Sequence, residues 1–187
     1  FSFDPPEKVA NWRPLVQWLM AIPHFIIGYV INLVMFVCVV ISWFAIVITG
    51  SMPKGLADVI CMAHRYQGRL IAYAGFLHAE YPPFDFTTSA ADPGGQPVRF
   101  DYEPALENRN RLTVLLRIFW MIPAYIFFYI IYLVAGLLWF ISFFAVLFTG
   151  KWPAGLLNFI QGAIRVGTRF SAYGTLLTDE YPPFEMN

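Results

Sequence analysis

Charge is what this sequence has least of. Only 13% of its 187 residues are Asp, Glu, Lys or Arg, against 58% hydrophobic ones, and the mean hydropathy is +0.58. Soluble domains carry about a quarter charged residues. A surface with half that charge suits lipid better than water. The 12 cations and 12 anions cancel, so no basic excess points to a nucleic-acid partner. Cysteine is nearly missing as well. Cys38 lies inside an apolar run and Cys61 in the next segment. The two have no metal-ligand spacing and read as buried thiols, not a disulfide.

The chemistry of catalysis is equally sparse. No nucleophile stands at a useful spacing from a base, no glycine-rich loop cradles phosphate, and no paired carboxylates sit within an apolar run. Gly94-Gly95 follows Pro93 and reads as a turn. The sequence therefore predicts no catalytic residue and no cofactor. His24, His64 and His78 have Ala124, Ile164 and Thr178 at the corresponding places of an internal repeat, so neither a metal site nor haem ligation is expected of them. His24 is the one ionisable residue in the apolar runs, which speaks against an ion or proton transporter.

The repeat itself is what the sequence has in full. Shifted by 100 residues, Leu15 to Phe84 lies on Leu115 to Phe184 without a gap, with 29 identities in 70 positions. Ile22-Pro23 falls on Ile122-Pro123, and Thr49-Gly50, Pro53 and Gly55-Leu56 fall on Thr149-Gly150, Pro153 and Gly155-Leu156. Arg65, Arg69 and Ala72-Tyr73 match Arg165, Arg169 and Ala172-Tyr173. Glu80-Tyr81-Pro82-Pro83-Phe84 returns whole as Glu180 to Phe184. Unit 1 is read as 1–84, an exposed linker rich in Thr, Ser, Pro and Gly as 85–97, and unit 2 as 98–187. Residues 1–4 and 98–102 alternate like short strands that could pair. The sequence opens on Phe1, not Met, which reads as a chain whose start lies further upstream.

The fold class expected is all-α, integral to a membrane, in two tandem repeats. Leu15 to Thr49 and Ile118 to Thr149 hold no Asp, Glu, Lys or Arg. A helix of about 35 residues would be roughly 52 Å long, against an apolar bilayer core of about 30 Å. Two arrangements are open. The run folds into a hairpin of two short spans turning near Gly28 to Asn32, or residues up to Pro23 lie in the interface and one long kinked helix crosses. All Lys and Arg lie outside the apolar runs. A hairpin puts them on one face, the cytoplasmic one by the positive-inside tendency, and is the arrangement favoured. Thr-Gly-x-x-Pro-x-Gly-Leu then forms a corner, followed by an amphipathic interfacial helix over about 55–79 and 155–179.

Two features could bind something. The arginines at i and i+4, Arg65/Arg69 and Arg165/Arg169, could hold lipid phosphate or a partner's carboxylate, or pair with Glu80 and Glu180 inside their own units. Tyr81, Phe84, Tyr181 and Phe184 of the stiff Tyr-Pro-Pro-Phe ends could dock a partner or serve as interfacial anchors.

The string Phe44-Ala45-x-x-x-Thr49-Gly50-x-x-Pro53-x-Gly55-Leu56, with Arg65, Arg69, Ala72-Tyr73 and Glu80 to Phe84, resembles the bacterial membrane family known as domain of unknown function 4389. Unit 2 matches equally, through Asn110-Arg111-Leu112-Thr113-Val114 and Asp179 to Phe184. His64-Arg65-Tyr66 and His78-Ala79-Glu80 depart from the pattern. The resemblance implies a multi-pass, actinobacterial-type plasma-membrane protein with no catalytic residues, and an accessory subunit near the cytochrome bcc–aa3 respiratory supercomplex. The leading expectation is thus a non-catalytic scaffold among membrane lipids and a larger membrane complex. Rival expectations are a membrane-shaping protein and a small transporter.

Overall fold

The computed structural model describes residues 1–186. Each unit is a long apolar helix followed by a second helix that packs back along it. In unit 1, α1 (Arg13–Met20) leads into α2 (Ile22–Thr49), and α3 (Lys54–Ala74) returns. In unit 2, α4 (Arg111–Leu115) and α5 (Arg117–Thr149) are followed by α6 (Ala154–Gly174). The short strands expected at the two unit starts do pair. β1 (Ser2–Phe3) and β2 (Val98–Arg99) are antiparallel, with Ser2 opposite Arg99 and Phe3 opposite Val98.

The hairpin expected within each apolar run is corrected. Helix α2 passes through Gly28 to Asn32 without a turn, and α5 passes through Ala135-Gly136. Gly28 serves close approach instead: a Cβ there would lie 3.0 Å from Gln67 Nε2 and 3.3 Å from Leu70 Cδ2 on α3. The breaks fall near the helix starts. Pro23 has no N–H, so the carbonyl of Leu19 loses its usual donor, and the chain steps out of helix at Ala21. In unit 2 the step comes at Leu116 (φ −96°, ψ 13°), and Pro123 lies inside α5. At 28 and 33 residues, α2 and α5 are roughly 42 and 50 Å long, more than the apolar core of a bilayer.

Both corners work as their sequence suggests. Gly50 and Gly150 adopt left-handed conformations (φ 76° and 67°) that close α2 and α5, with N–H groups donating to Ile46 O and Val146 O. The Thr49 and Thr149 hydroxyls, each donating at 2.7 Å to the carbonyl four residues back, accept from the N–H of Ser51 and Lys151. Pro53 and Pro153 then open α3 and α6.

The second helices lie elsewhere than expected. They span 54–74 and 154–174 rather than 55–79 and 155–179, because Phe76 and Leu176 turn left-handed (φ 51° and 68°) and end them. Each packs back along its own unit's long helix. Helix α3 runs antiparallel along α2: Gln17 meets Tyr73, His24 meets Tyr66, and Gly28 meets Gln67. Further along, Cys38 shares an apolar cluster with Ala57 and Ile60.

The two units interlock reciprocally. Val9 N–H donates to Gly150 O and Arg109 N–H to Gly50 O, both at 2.9 Å. Asn11 Nδ2 reaches Leu147 O, and Trp43 Nε1 reaches Val114 O. The start of each long helix thus meets the end of the other, so α2 and α5 run antiparallel. The turn of unit 1 inserts Phe76 against Trp152 (5.1 Å, stacked), while the turn of unit 2 buries Leu176 and Leu177 against α2 and α3. The core is shared, and the units are not separable globules. What remains outside is apolar. Ile48 (69% exposed), Ile118 (72%) and Phe148 (77%) are the extremes of an uncharged surface along α2 and α5.

Candidate functional site

The arginine pair of unit 1 is consumed by the chain's own linker. Arg65 is buried and donates to three carbonyls, Thr87 O (2.8 Å), Ala91 O (3.0 Å) and Ser89 O (3.2 Å). Arg69, also buried, pairs with Asp92 at 2.6 Å and Asp85 at 3.3 Å. Asp92 in turn accepts from the N–H groups of Gly94 and Phe100, which anchors the linker to β2. The expected partner Glu80 takes no part. Arg69 Nε is buried without a hydrogen-bond partner among the described residues, and the linker, although half-exposed, is pinned across α3.

The matching pair of unit 2 sits differently. Arg165 and Arg169 are half-buried and line an open cleft of about 620 Å³ beside Asp101, Glu103 and Glu180. Arg169 donates to Glu185 O at 3.4 Å. Three carboxylates and two guanidinium groups thus share the lining of this cleft.

The Tyr-Pro-Pro-Phe ends fold onto their own units. Phe84 stacks on His24 (4.2 Å, 13°), Tyr81 tilts against it at 4.8 Å, and Tyr66 Oη lies 2.7 Å from His24 Nδ1. In unit 2, where Ala124 replaces His24, Phe184 packs edge-on against Phe127 and Tyr181 against Tyr173. All four aromatics keep one side exposed, so they remain available as anchors at a polar–apolar boundary.

A charged joint was not singled out from sequence. Asp179 takes Arg109 in a bidentate grip (2.7 and 2.9 Å) and Arg117 at 2.6 Å. The guanidinium of Arg117 also lies 3.9 Å from the centre of the Tyr173 ring. Desolvation would raise the Asp179 carboxyl, but the hydrogen bonds from Arg109 and the Asn110 N–H, with the charges of both arginines, hold it at about 2. The signal was present in the repeat: Gln17 and Ala79 of unit 1 become Arg117 and Asp179 together.

The buried thiol and imidazoles are quiet. Burial pushes Cys61 up to about 12, reinforced by the Asp58 charge, so it stays a thiol. Burial pushes His64 and His78 down to about 4, so both are neutral near pH 7. Among the described residues no group of three His, Cys, Asp or Glu converges as a metal site would need.

An apolar cavity of about 530 Å³ lies between α3, α5 and α6. Unit 2 carries smaller residues here than unit 1 does. Met35, Phe36 and Gln67 of unit 1 become Ala135, Gly136 and Gly167. Met35 packs into the core of its unit and Gln67 bonds Gly28 O, whereas a Cβ added at Gly136 would meet nothing within 4 Å. His64 contributes a polar edge. Its Nε2 lies 2.8 Å from Thr175 Oγ1, whose one hydrogen goes to Ser171 O at 2.7 Å. Thr175 must therefore accept from His64 Nε2–H, which leaves Nδ1 as a lone-pair acceptor.

No curated protein and no solved structure matches the chain. A family model does, twice, over residues 11–85 and 111–185, the two units just described. With both its repeats matched, the chain belongs to the family described as Domain of unknown function (DUF4389).

Proposed function

We propose that this chain is a non-catalytic integral membrane subunit that acts by packing, seated in lipid through α2 and α5 and scaffolding a larger membrane complex. One observation carries the reading. The outward sides of α2 and α5 are uncharged and densely apolar, from Phe25, Ile26 and Tyr29 to Phe140, Phe144 and Phe148, while the buried arginines bond to carbonyls and carboxylates inside the protein. Only 22% and 17% of the most apolar windows of these helices is buried, which supports a seat in lipid over a place in the core of a water-soluble globule. A smooth aliphatic and aromatic surface offers area for van der Waals contact with lipid or protein, with no group to do chemistry.

Gentle solubilisation, native gel separation and mass spectrometry test this. The expected result is a band far above the 21.4 kDa of the chain containing other membrane proteins. Subunits of a bcc–aa3 respiratory assembly would extend the family resemblance to a partner. Migration only as a free monomer or dimer would sink the subunit reading.

One observation favours a second reading, a membrane-organising protein lying within one leaflet. Helices α2 and α5, roughly 42 and 50 Å long by their 28 and 33 residues, exceed an apolar bilayer core of about 30 Å. An in-plane seat removes that mismatch and keeps the polar linker, pinned on Arg65 and Arg69, in the headgroup layer. Single cysteines at Ala10 and Lys54, beyond opposite ends of α1–α2, separate the two. Labelling by a membrane-impermeant maleimide from opposite sides supports crossing; labelling from one side supports the in-plane seat.

A further inference from the structure

We infer that the cavity between α3, α5 and α6 is a binding site for a single-tailed membrane amphiphile whose head donates one hydrogen bond, in the manner of a long-chain alcohol. The inference rests on the membrane seat proposed above. The space of about 530 Å³ falls within the range of small-molecule pockets, roughly 300–1,000 Å³. Its walls are mostly apolar, from Phe100, Phe128, Trp139 and Ile160. Tyr132 and Gly136 form its rim, and both are exposed on the apolar side of α5. A ligand arriving through lipid would meet that rim first.

The polar requirement follows from His64. With Nε2–H engaged by Thr175, the free ring nitrogen can only accept, and none of the described residues donates to it. A hydroxyl head answers that lone pair. A carboxylate or phosphate, being an acceptor itself, does not. The cavity lies against the smaller residues of unit 2, with Ala135 and Gly167 where unit 1 has Met35, packed in its core, and Gln67, bonded to Gly28 O. Bulk missing from one copy of a duplicated core, beside an unpartnered acceptor that the other copy replaces with Ile164, is what a built site would leave.

The test uses the full chain in lipid nanodiscs with a diazirine-bearing hexadecanol, cross-linked by light and mapped by peptide mass spectrometry. Saturable labelling within 128–139 and 160–171 is expected. Unlabelled 1-hexadecanol should compete about five-fold better than n-hexadecane, the worth of one ordinary hydrogen bond. The variant Ala135→Met/Gly136→Phe, which restores the residues of unit 1, should abolish saturable labelling. His64→Ile should keep the labelling but erase the preference for alcohol over alkane. Saturable labelling that survives Ala135→Met/Gly136→Phe would overturn the site, as would alcohol and alkane competing equally in the unaltered chain. Failure of the membrane seat reads out separately. Non-saturable labelling of the outward residues of α2 and α5 should accompany the site, and its absence would reject the seat and leave the cavity result standing.

Discussion

At the joint between the long helix and the end of its unit, the two repeats solve one problem by different chemistry. In unit 1, Gln17 donates to Tyr73 O (2.7 Å) and His78 O (2.6 Å). In unit 2, Arg117 donates to the corresponding carbonyls, Tyr173 O (3.3 Å) and Thr178 O (3.0 Å). The backbone geometry demands a donor at this position in both copies, because buried carbonyls must be bonded. A neutral amide does this alone. A guanidinium brings a charge that must be matched, and Asp179 appears where unit 1 has Ala79. Arg109 then joins the same carboxylate where unit 1 has Val9. Duplication has conserved the bond and varied the electrostatics.

The largest expected effect comes from removing the shared anion. Asp179→Asn leaves Arg109 and Arg117, both nearly inaccessible, facing each other unpaired. Breaking a buried pair costs about 3–5 kcal/mol, which thermal unfolding in detergent would read as a large drop in Tm. The triple change Arg109→Val/Arg117→Gln/Asp179→Ala installs the residues of unit 1 and should recover most of that loss. Failure to recover would mean the ion cluster does more than replace a neutral joint.

The arginine pairs offer the next contrast. Arg69→Ala strips the partner from Asp92, whose side chain is 2% exposed, and should cost about 3 kcal/mol while loosening the linker to proteolysis. Arg169→Ala, at a half-exposed position, should cost under about 1 kcal/mol. Equal losses would show that the pair is structural in both units alike.

Titration separates the units by pH. His64 and His78, both in unit 1, are pushed to about 4 by burial from an ordinary 6.5. Between those values the unfolded chain binds protons that the folded chain does not, so stability falls as pH drops from 6.5 towards 4. The slope is at most about 1.4 kcal/mol per pH unit for each histidine. Asp179 in unit 2, held at about 2 against 3.8, adds a second window. Its stabilisation is present above 3.8 and is lost as pH falls towards 2. His78→Thr, the residue of unit 2, should flatten the upper window only, seen as a shallower fall of Tm with pH.

Much of this fold was legible from period and repetition. The uncharged runs became α2 and α5, the Thr-Gly-x-x-Pro strings became corners closed by left-handed Gly50 and Gly150, and Ser2–Phe3 paired with Val98–Arg99. The internal turn did not exist, because Gly28 can mean a bend or a close contact, and only the position of Gln67 decides between them. The fate of Arg65 and Arg69 was hidden for a similar reason. Their partners are linker carbonyls and Asp92, and a carbonyl acceptor leaves no trace in residue type. The cavity and the Asp179 joint were readable only as differences between copies, at Ala135, Gly167, Arg117 and Asp179.

The smallest effect is expected at the start of the second long helix. Asn110 caps α4, its side chain accepting from Thr113 N–H at 3.2 Å, while its own N–H donates to Asp179 at 3.0 Å. Unit 1 has Ala10 at the matching place, and α1 begins at Trp12 with no side-chain cap. Asn110→Ala therefore makes the second start resemble the first. It should cost about 1 kcal/mol, the usual worth of such a cap, because the N–H to Asp179 is kept. Hydrogen exchange should then rise at Thr113 and Val114 and stay unchanged at Val9 and Asn11. A loss as large as that of Asp179→Asn would show that the cap and the ion cluster act as one unit, and that the charged joint of unit 2 reaches into its helix start in a way the neutral joint of unit 1 does not.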